Sequence, residues 1–448
     1  MIRIREDDCG FASVINAMRV EYPREEITVV MAPSASSIET AILRKIYAAI
    51  GRPPIRLALG RGPEVVPANG EPVASVLITD WSTLARLFLD PEMGFGDGYT
   101  EGRIDVEGDL VTLLEAVLRT MRAHYAMGWK SALMSRWLER IQANTPAGSA
   151  RNIQRHYDLT TEFYKLWLDP QLVYTCAYFP TPSTTLEDAQ LAKMDHVCRK
   201  IQLRPGDKVV EAGCGWGALA LHMAKNYGAT VKAFNISKEQ IHFARERAQR
   251  EGLSHQVEFI EDDYRNISGH ADAFVSVGML EHVGKENFQE IGRIIHRTIG
   301  DSGRGLLHFI GRNQMSTFSP WIRKRIFPGA YAPSLREVME IFEPWDFSVQ
   351  DVENLRRHYA KTLEEWLSRF EGATDPITKM FGPEFLRAWR LYLAGSIAAF
   401  RVGNLELFQV VFAGSRCQKI PWTRAGLYAE SLPEAPAAKE QKWMNARS

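Results

Sequence analysis

The sequence predicts a doubly wound α/β sheet of Rossmann type, carried beside a smaller N-terminal α+β domain. Three observations predict it. From Asp207 onward short apolar runs alternate with amphipathic helical stretches, as a parallel sheet with crossover helices requires. The first of those runs opens into a glycine-rich turn, Glu211-Ala212-Gly213-Cys214-Gly215-Trp216-Gly217. At 448 residues the chain is also too long for one ordinary core.

Taken in order, Val209 and Val210 read as a strand, 218–227 as a helix and 230–235 as a strand. A helix at 238–251, strands at 256–260 and 273–277, a helix at 286–299 and a strand at 305–310 continue the rhythm. Two further strands, 347–352 and 407–412, are separated by helical patterns at 362–370 and 385–400. This last pair would complete a seven-stranded sheet with an antiparallel final strand.

Residues 1–125 read as the accessory domain, with strands at 55–59 and 73–78 and helices at 38–50 and 110–122. Gly94-Phe95-Gly96-Asp97-Gly98-Tyr99-Thr100-Glu101-Gly102 reads as a turn cluster. A linker is expected at 126–150, the main domain at 151–431 and a frayed tail at 432–448.

Lys plus Arg and Asp plus Glu number 54 each, so no global field favours nucleic acid, and electrostatic targeting must be local. No apolar run approaches the roughly 18 residues of a spanning helix, and the start lacks a signal peptide's apolar core. A cytoplasmic protein is the expectation. Cys9, Cys176, Cys198, Cys214 and Cys417 lie far apart with no zinc-like spacing, which predicts reduced thiols and no metal.

The glycine turn carries the chemistry. Glycines let the backbone bend tightly and approach a ligand, and an acidic strand end accepts hydrogen bonds from an ammonium or a ribose. Glu211, Gly213, Gly215 and Gly217 fit that need. The spacing is G-x-G-x-G, unlike the G-x-G-x-x-G of a dinucleotide site, and favours S-adenosylmethionine (SAM) over NAD. Asn235 and Ile236 at the next strand end, with Gln240 beyond, stand where such folds hold ribose; Asp262 and Asp263 stand where adenine's amine needs an acceptor. The fold class is therefore that of a class I SAM-dependent methyltransferase.

Five motifs in order resemble one family. They are His156-Tyr157-Asp158-Leu159, Phe163-Tyr164-Lys165-Leu166-Trp167-Leu168-Asp169, Tyr174-Thr175-Cys176-Ala177-Tyr178-Phe179, Gly278-Met279-Leu280-Glu281-His282-Val283-Gly284 and Leu307-His308-Phe309-Ile310-Gly311. On these the chain resembles the cyclopropane-fatty-acyl-phospholipid synthases, relatives of the mycolic acid cyclopropane synthases. The likeness runs from about His156 to Phe412, with a weaker match around Gly94 to Gly108.

The resemblance implies a reaction in which the cis double bond of a phospholipid acyl chain attacks the SAM methyl. A neighbouring carbocation forms, a bound bicarbonate removes a proton from the new methyl, and a cyclopropane closes. It implies a bicarbonate cage of Cys176, Glu281, His308, the backbone of Ile310 and Tyr359, and SAM contacts from Tyr174 and Thr175. A small anion needs donors, which a histidine, a tyrosine and an amide supply, while a carboxylate accepts its proton. An aromatic wall would keep water from the cation, with Tyr178, Phe179, Tyr264 and Phe309 as its candidates. Glu211 stands where the family usually has Asp, and Thr175 where it has Ser.

Outside its motif Cys176 reads as a core cysteine, and His308 in its apolar strand as a core histidine. A bilayer substrate further implies peripheral contact with the inner membrane face. Phe318-Ser319-Pro320-Trp321-Ile322-Arg323-Lys324-Arg325-Ile326-Phe327, which mixes cations and aromatics, is the local candidate. The resemblance also implies a homodimer. Competing readings are a lipid methyltransferase yielding methylene- or methyl-branched chains, a methyltransferase for a small soluble acceptor, and a non-catalytic SAM- or lipid-binding protein.

Overall fold

The computed structural model describes residues 37–125, 159–313 and 319–428. The expected linker (126–150) and tail (432–448), Cys9, His156, Tyr157, Asp158 and Phe318 lie outside the described residues.

In the N-terminal unit strands β1 (Arg56–Leu59), β2 (Glu64–Val65), β3 (Ser75–Ile78) and β4 (Ile104–Glu107) form one sheet in the order β2-β1-β3-β4. Helices α1 (Ser37–Ala49), α2 (Trp81–Leu89), α3 (Pro91–Thr100) and α4 (Leu110–Tyr125) accompany it. The expected strands and the first and last of these helices fall where their patterns put them.

The glycine cluster does not. Gly94, Gly96 and Gly98 lie inside α3, which Asp90 caps by accepting from the Met93 amide and which Pro91 starts. Packing explains why glycine is tolerated in a helix here. A Cβ at Gly94 would sit 2.7 Å from Leu87 Cα, one at Gly96 2.3 Å from the Trp321 ring, and one at Gly98 2.8 Å from Ile104 Cδ1. Close approach, not a bend, is what these glycines supply.

That contact also corrects the expected membrane segment. Trp321 and Ile326 are buried, and the Trp321 indole donates to Asp97 Oδ1 at 3.1 Å. Arg325 forms a two-pronged pair with the same carboxylate, at 3.0 and 2.7 Å. The segment's central tryptophan and one of its cations are therefore turned onto α3.

The large sheet has the order β10-β11-β9-β8-β5-β6-β7, from β5 (Lys208–Ala212), β6 (Thr230–Asn235), β7 (Val257–Glu261), β8 (Ala273–Val277), β9 (Arg304–Gly311), β10 (Ser348–Asn354) and β11 (Glu406–Ala413). Its first five strands in chain order pair in parallel, and β11 runs antiparallel to both β9 and β10. Strands β8 and β11 are buried along their whole length, which is why they read as apolar runs without polar alternation.

Between and around these strands lie α5 (Thr161–Lys165), α6 (Leu186–Lys200), α7 (Ala218–Tyr227), α8 (Lys238–Arg250), α9 (Phe288–Ile299) and α10 (Leu335–Phe342). Inserted between β10 and β11 are α11 (Arg356–Gly372), α12 (Thr374–Phe381) and α13 (Pro383–Val402). Helix α13 ties the two units together. Its Arg387 donates to the Tyr99 and Ile104 carbonyls at 2.5 and 2.8 Å and lies 4.2 Å over the Tyr99 ring. One apolar core runs from Leu43 and Tyr99 through Trp167 and Trp366 to Leu407, so the units share an interior.

Cys176, Cys198, Cys214 and Cys417 are buried and unbridged. Among the described residues no helix is long and apolar enough to cross a membrane, and no cluster of His, Cys, Asp or Glu would hold a metal.

Candidate active site

The site begins where β5 ends. Glu211 is buried there, and Gly213, Gly215 and Gly217 follow at φ of +84°, +55° and +83°, a region that L side chains rarely adopt. The Gly213 and Cys214 amides donate to the Phe234 carbonyl at 2.9 and 3.1 Å, pinning the turn to β6. A Cβ at Gly217 would strike the Phe259 ring at 2.6 Å and one at Gly213 would meet Met279 at 2.9 Å, whereas one at Gly215 would meet nothing within 4 Å. Gly215 is the open side of the turn, where a ligand can approach the backbone.

Asn235 stitches the next strand end to that turn. Its amide nitrogen donates to the Gly215 carbonyl at 3.4 Å and to Gln240 Oε1 at 2.7 Å, while its oxygen accepts from the Ile236 amide at 2.9 Å. Asp262 Oδ1 accepts from the Asp263 amide and Asn266. Both oxygens of Asp263 are engaged by Arg265, so Asp263 shapes its own turn and Asp262 is the better candidate for a base amine.

The fit of this cradle to SAM rests on Glu211. Its Oε2 is buried with no hydrogen-bond partner. Burial pushes its carboxyl up to about 7, opposed by nearby Lys193 and the Ala220 amide. A buried acceptor without a donor is costly, and an ammonium or ribose hydroxyl would satisfy it.

The opposite wall is the extended segment that carries Tyr174, Thr175 and Cys176. The Tyr174 and Tyr392 hydroxyls share a hydrogen bond of 3.0 Å. Thr175 Oγ1 accepts from Lys193 Nζ at 3.1 Å, and its carbonyl accepts from Gln190 at 2.9 Å. Cys176 is fully buried and donates to the Ala177 carbonyl at 3.1 Å; burial raises its thiol far above the usual range, so it is a neutral thiol and no nucleophile.

Just past the end of β8 and within β9 stand Glu281, His308 and Ile310, three of the residues expected for the anion cage. Glu281, in a short 3-10 turn (Leu280–His282), accepts from the Ile310 amide through Oε1 at 2.6 Å, and its Oε2 is buried without a partner. Burial, countered by that amide, brings its carboxyl up to about 7. The Ile310 N–H is thus not a free donor for an anion, as expected from sequence; it positions Glu281.

His308 stands two residues before Ile310 on the same face of β9. Gln409, its register partner on β11, contacts His308 Nδ1 through Nε2 at 3.0 Å. An amide nitrogen can only donate, so Nδ1 accepts and the ring proton sits on Nε2, which is buried and has no partner. Burial, reinforced by Lys193, Lys200 and His196, keeps the imidazole neutral.

Tyr359 packs 4.7 Å from Phe400 and 6.0 Å from Trp366, whose ring lies 5.3 Å from Tyr174. This aromatic group connects it to Tyr174. The expected cation wall is corrected throughout. Tyr178 is stacked between His196 and His358, at 4.3 and 4.9 Å, and Phe179 lies under Lys361. Phe309 alternates to the far side of the sheet against Phe408, and Tyr264 lies beneath Arg265 beside the β7 end.

Sequence reasoning missed Gln409, Lys193, Gln190 and Tyr392. Gln409 had left a signal, a lone amide within the otherwise apolar run 407–412.

Residues 142–410 match the family described as mycolic acid cyclopropane synthetase. The chain belongs to that family. Membership makes it an enzyme, a SAM-dependent methyltransferase of the cyclopropane fatty acid synthase type.

Among relatives, the cyclopropane-fatty-acyl-phospholipid synthase of Escherichia coli K12 is 35% identical over 351 residues, covering 77% of this chain and 89% of that one. A probable fatty acid methyltransferase of Pseudomonas putida is 32% identical over 84% of this chain and 96% of its own. The solved mycolic acid cyclopropane synthase CmaA1, complexed with SAH and CTAB, is 30% identical with a TM-score of 0.56 over 59% of this chain and 97% of its own. The family match, residues 142–410, takes in the large sheet's strands from β5 to β10 and most of β11.

Proposed function

We propose that the enzyme is a cyclopropane-fatty-acyl-phospholipid synthase that places the SAM methyl carbon across the cis double bond of an acyl chain esterified in a phospholipid, with bicarbonate as base. The observation that carries this reading is a pair of buried, unpartnered polar atoms, Glu281 Oε2 and His308 Nε2. One accepts and the other donates, and β9 holds His308 and Ile310 only about 7 Å apart along one face. A small anion bearing one proton matches both.

SAM would supply an electrophilic methyl, and bicarbonate the base that takes a proton from it. The protein does the rest. Glu211, Gly215, Thr175 and Asp262, with Tyr174, Asn235, Ile236 and Gln240 around them, would hold the nucleoside and its amino-acid end. Glu281 would accept the anion's proton and orient it, His308 would donate to it, and Cys176 and Tyr359 would close the cage. The rings of Tyr174, Tyr359, Trp366 and Phe400 would exclude water from a carbocation, which is the task first given to Tyr178 and its neighbours.

The decisive experiment is to incubate the purified protein with SAM and vesicles of a monounsaturated phospholipid and to examine the fatty esters by proton NMR. High-field ring-methylene signals are expected. Vinylidene signals would replace this reading with a second one, formation of methylene- or methyl-branched chains, which the likeness to a probable fatty acid methyltransferase favours. Turnover should fall in bicarbonate-depleted buffer; an unchanged rate would remove bicarbonate from the scheme. A phospholipid substrate also calls for reversible contact with the inner face of the membrane, which vesicle co-sedimentation tests, and the homodimer is tested by light scattering.

A further inference from the structure

Helix α6 presses one buried face onto the segment that carries Tyr174, Thr175 and Cys176. From that face Gln190 donates to the Val173 and Thr175 carbonyls at 3.3 and 2.9 Å, and Lys193, one turn on and 1% exposed, reaches Thr175 Oγ1 at 3.1 Å. A buried ammonium needs compensating charge. Here two buried acids from separate elements, Asp169 and Glu211, act on it. Asp169 is itself held by the Gln171 and Val173 amides, at 2.8 and 3.0 Å.

Two details fix what Lys193 does to Thr175. An ammonium has three donors and no acceptor, so the Thr175 oxygen must use a lone pair on it. The hydroxyl proton is then left to point elsewhere, and no hydrogen bond among the described residues takes it. On the other side of Thr175, a Cβ at Gly278 would lie 2.8 Å from its methyl carbon, so glycine there leaves room for that methyl. A β-branched side chain packed in this way is restricted at χ1.

We propose that Lys193 is a positioning residue for the amino-acid end of SAM, holding the Thr175 oxygen as an acceptor so that its proton faces the SAM carboxylate. The same ammonium is the cation opposite Glu211, the acceptor for the SAM ammonium. This rests on reading Thr175 and Glu211 as cofactor contacts, and it adds to them a residue that touches no cofactor atom.

The test separates the two ends of the ligand. S-adenosylhomocysteine carries the amino-acid group, and 5′-methylthioadenosine keeps the nucleoside but lacks it. Calorimetric titration of Lys193→Met should show S-adenosylhomocysteine weakened about tenfold or more and methylthioadenosine by less than about twofold, since only the first loses a charge-assisted contact. Thr175→Val should show a selective loss of the same kind, and the double variant a loss smaller than the sum of the two, because Lys193 acts in part through Thr175 and in part on Glu211. If Lys193→Met does not fold, Lys193→Gln keeps a donor without the charge and should show an intermediate selective loss. Equal weakening of both ligands, or none of either, would overturn the proposal. Wild-type protein that binds neither ligand would instead overturn the cofactor reading beneath it.

Discussion

Replacing Glu281 by glutamine should make the cofactor-free protein relatively more stable at alkaline pH while stopping catalysis. Glu281 is buried, one of its oxygens lacks a partner, and its carboxyl is pushed from 4.5 up to about 7. A carboxyl that holds its proton more tightly in the fold contributes stability fully below its unfolded value, and that contribution is lost as pH rises through the folded value. Between about pH 5 and about pH 8 the loss integrates to roughly 2–3 kcal/mol. Glutamine does not titrate. It leaves a buried amide hydrogen unsatisfied, costing about 1–3 kcal/mol, but that penalty is the same at both pH values. The variant's stability from urea unfolding should therefore lie below or near the wild type's at the acid end and gain on it by roughly 2–3 kcal/mol at the alkaline end. Turnover should meanwhile fall at least about a hundredfold, as for other lost acid–base groups. Stability curves that run parallel across this range would refute the claim that Glu281 sits in the fold as a strained acid. Undiminished turnover would refute its role in the cage.

Three other substitutions probe separate parts of the molecule. Gln409→Met leaves His308 Nδ1 without its donor; nitrogen-15 spectra should change from one imidazole tautomer to a mixture, with turnover down about tenfold and a stability cost of about 1–3 kcal/mol, and an unchanged tautomer would sink the assignment. Gly96→Ala gains about 1 kcal/mol of helix propensity but drives a methyl into the Trp321 ring; overpacking of about 1–3 kcal/mol should win, seen as a lower melting temperature with altered tryptophan fluorescence. Asp207→Ala strips the buried Arg304 guanidinium of its carboxylate, and Lys419 of its partner, for a loss of about 3–5 kcal/mol in denaturant unfolding. Asp207 titrates below its ordinary value, because its hydrogen bond to Lys419 and its pairing with Arg304 outweigh burial. Its contribution to stability is thus lost on acidification, and the Asp207→Ala deficit should shrink as pH falls.

The large sheet was legible because its strands are apolar runs and its first turn has a backbone that only glycine adopts easily. The glycines of α3 misled for the opposite reason. Low helix propensity reads as a turn, and the Trp321 ring that overrides it lies far off in sequence. Within the site, residue types at strand ends were readable, but hydrogen-bond partners were not. Nothing in the string says that the Ile310 amide turns toward Glu281, or that Tyr178 stacks between two histidines while Cys176 stays in the site. Strand alternation did bear on Phe309, since it stands next to His308 and so faces the other way. Lys193 was hidden because α6 is rich in charged residues, and only the packing shows that Lys193 and Lys200 are both buried, the first of them against Thr175.

The contact between Gly96 and Trp321 has a consequence for sequence change over time. A ring within 2.3 Å of where a side chain would begin makes the two positions one unit of variation, although 96 and 321 belong to different parts of the fold. A residue with a side chain becomes acceptable at 96 only once 321 carries something smaller than tryptophan. Related chains should accordingly change both sites or neither, and Gly96→Ala placed in a Trp321→Leu background should lose its penalty. Drift in helix α3 of the accessory unit is thereby tethered to a segment that lies past β9, the strand on which His308 and Ile310 stand.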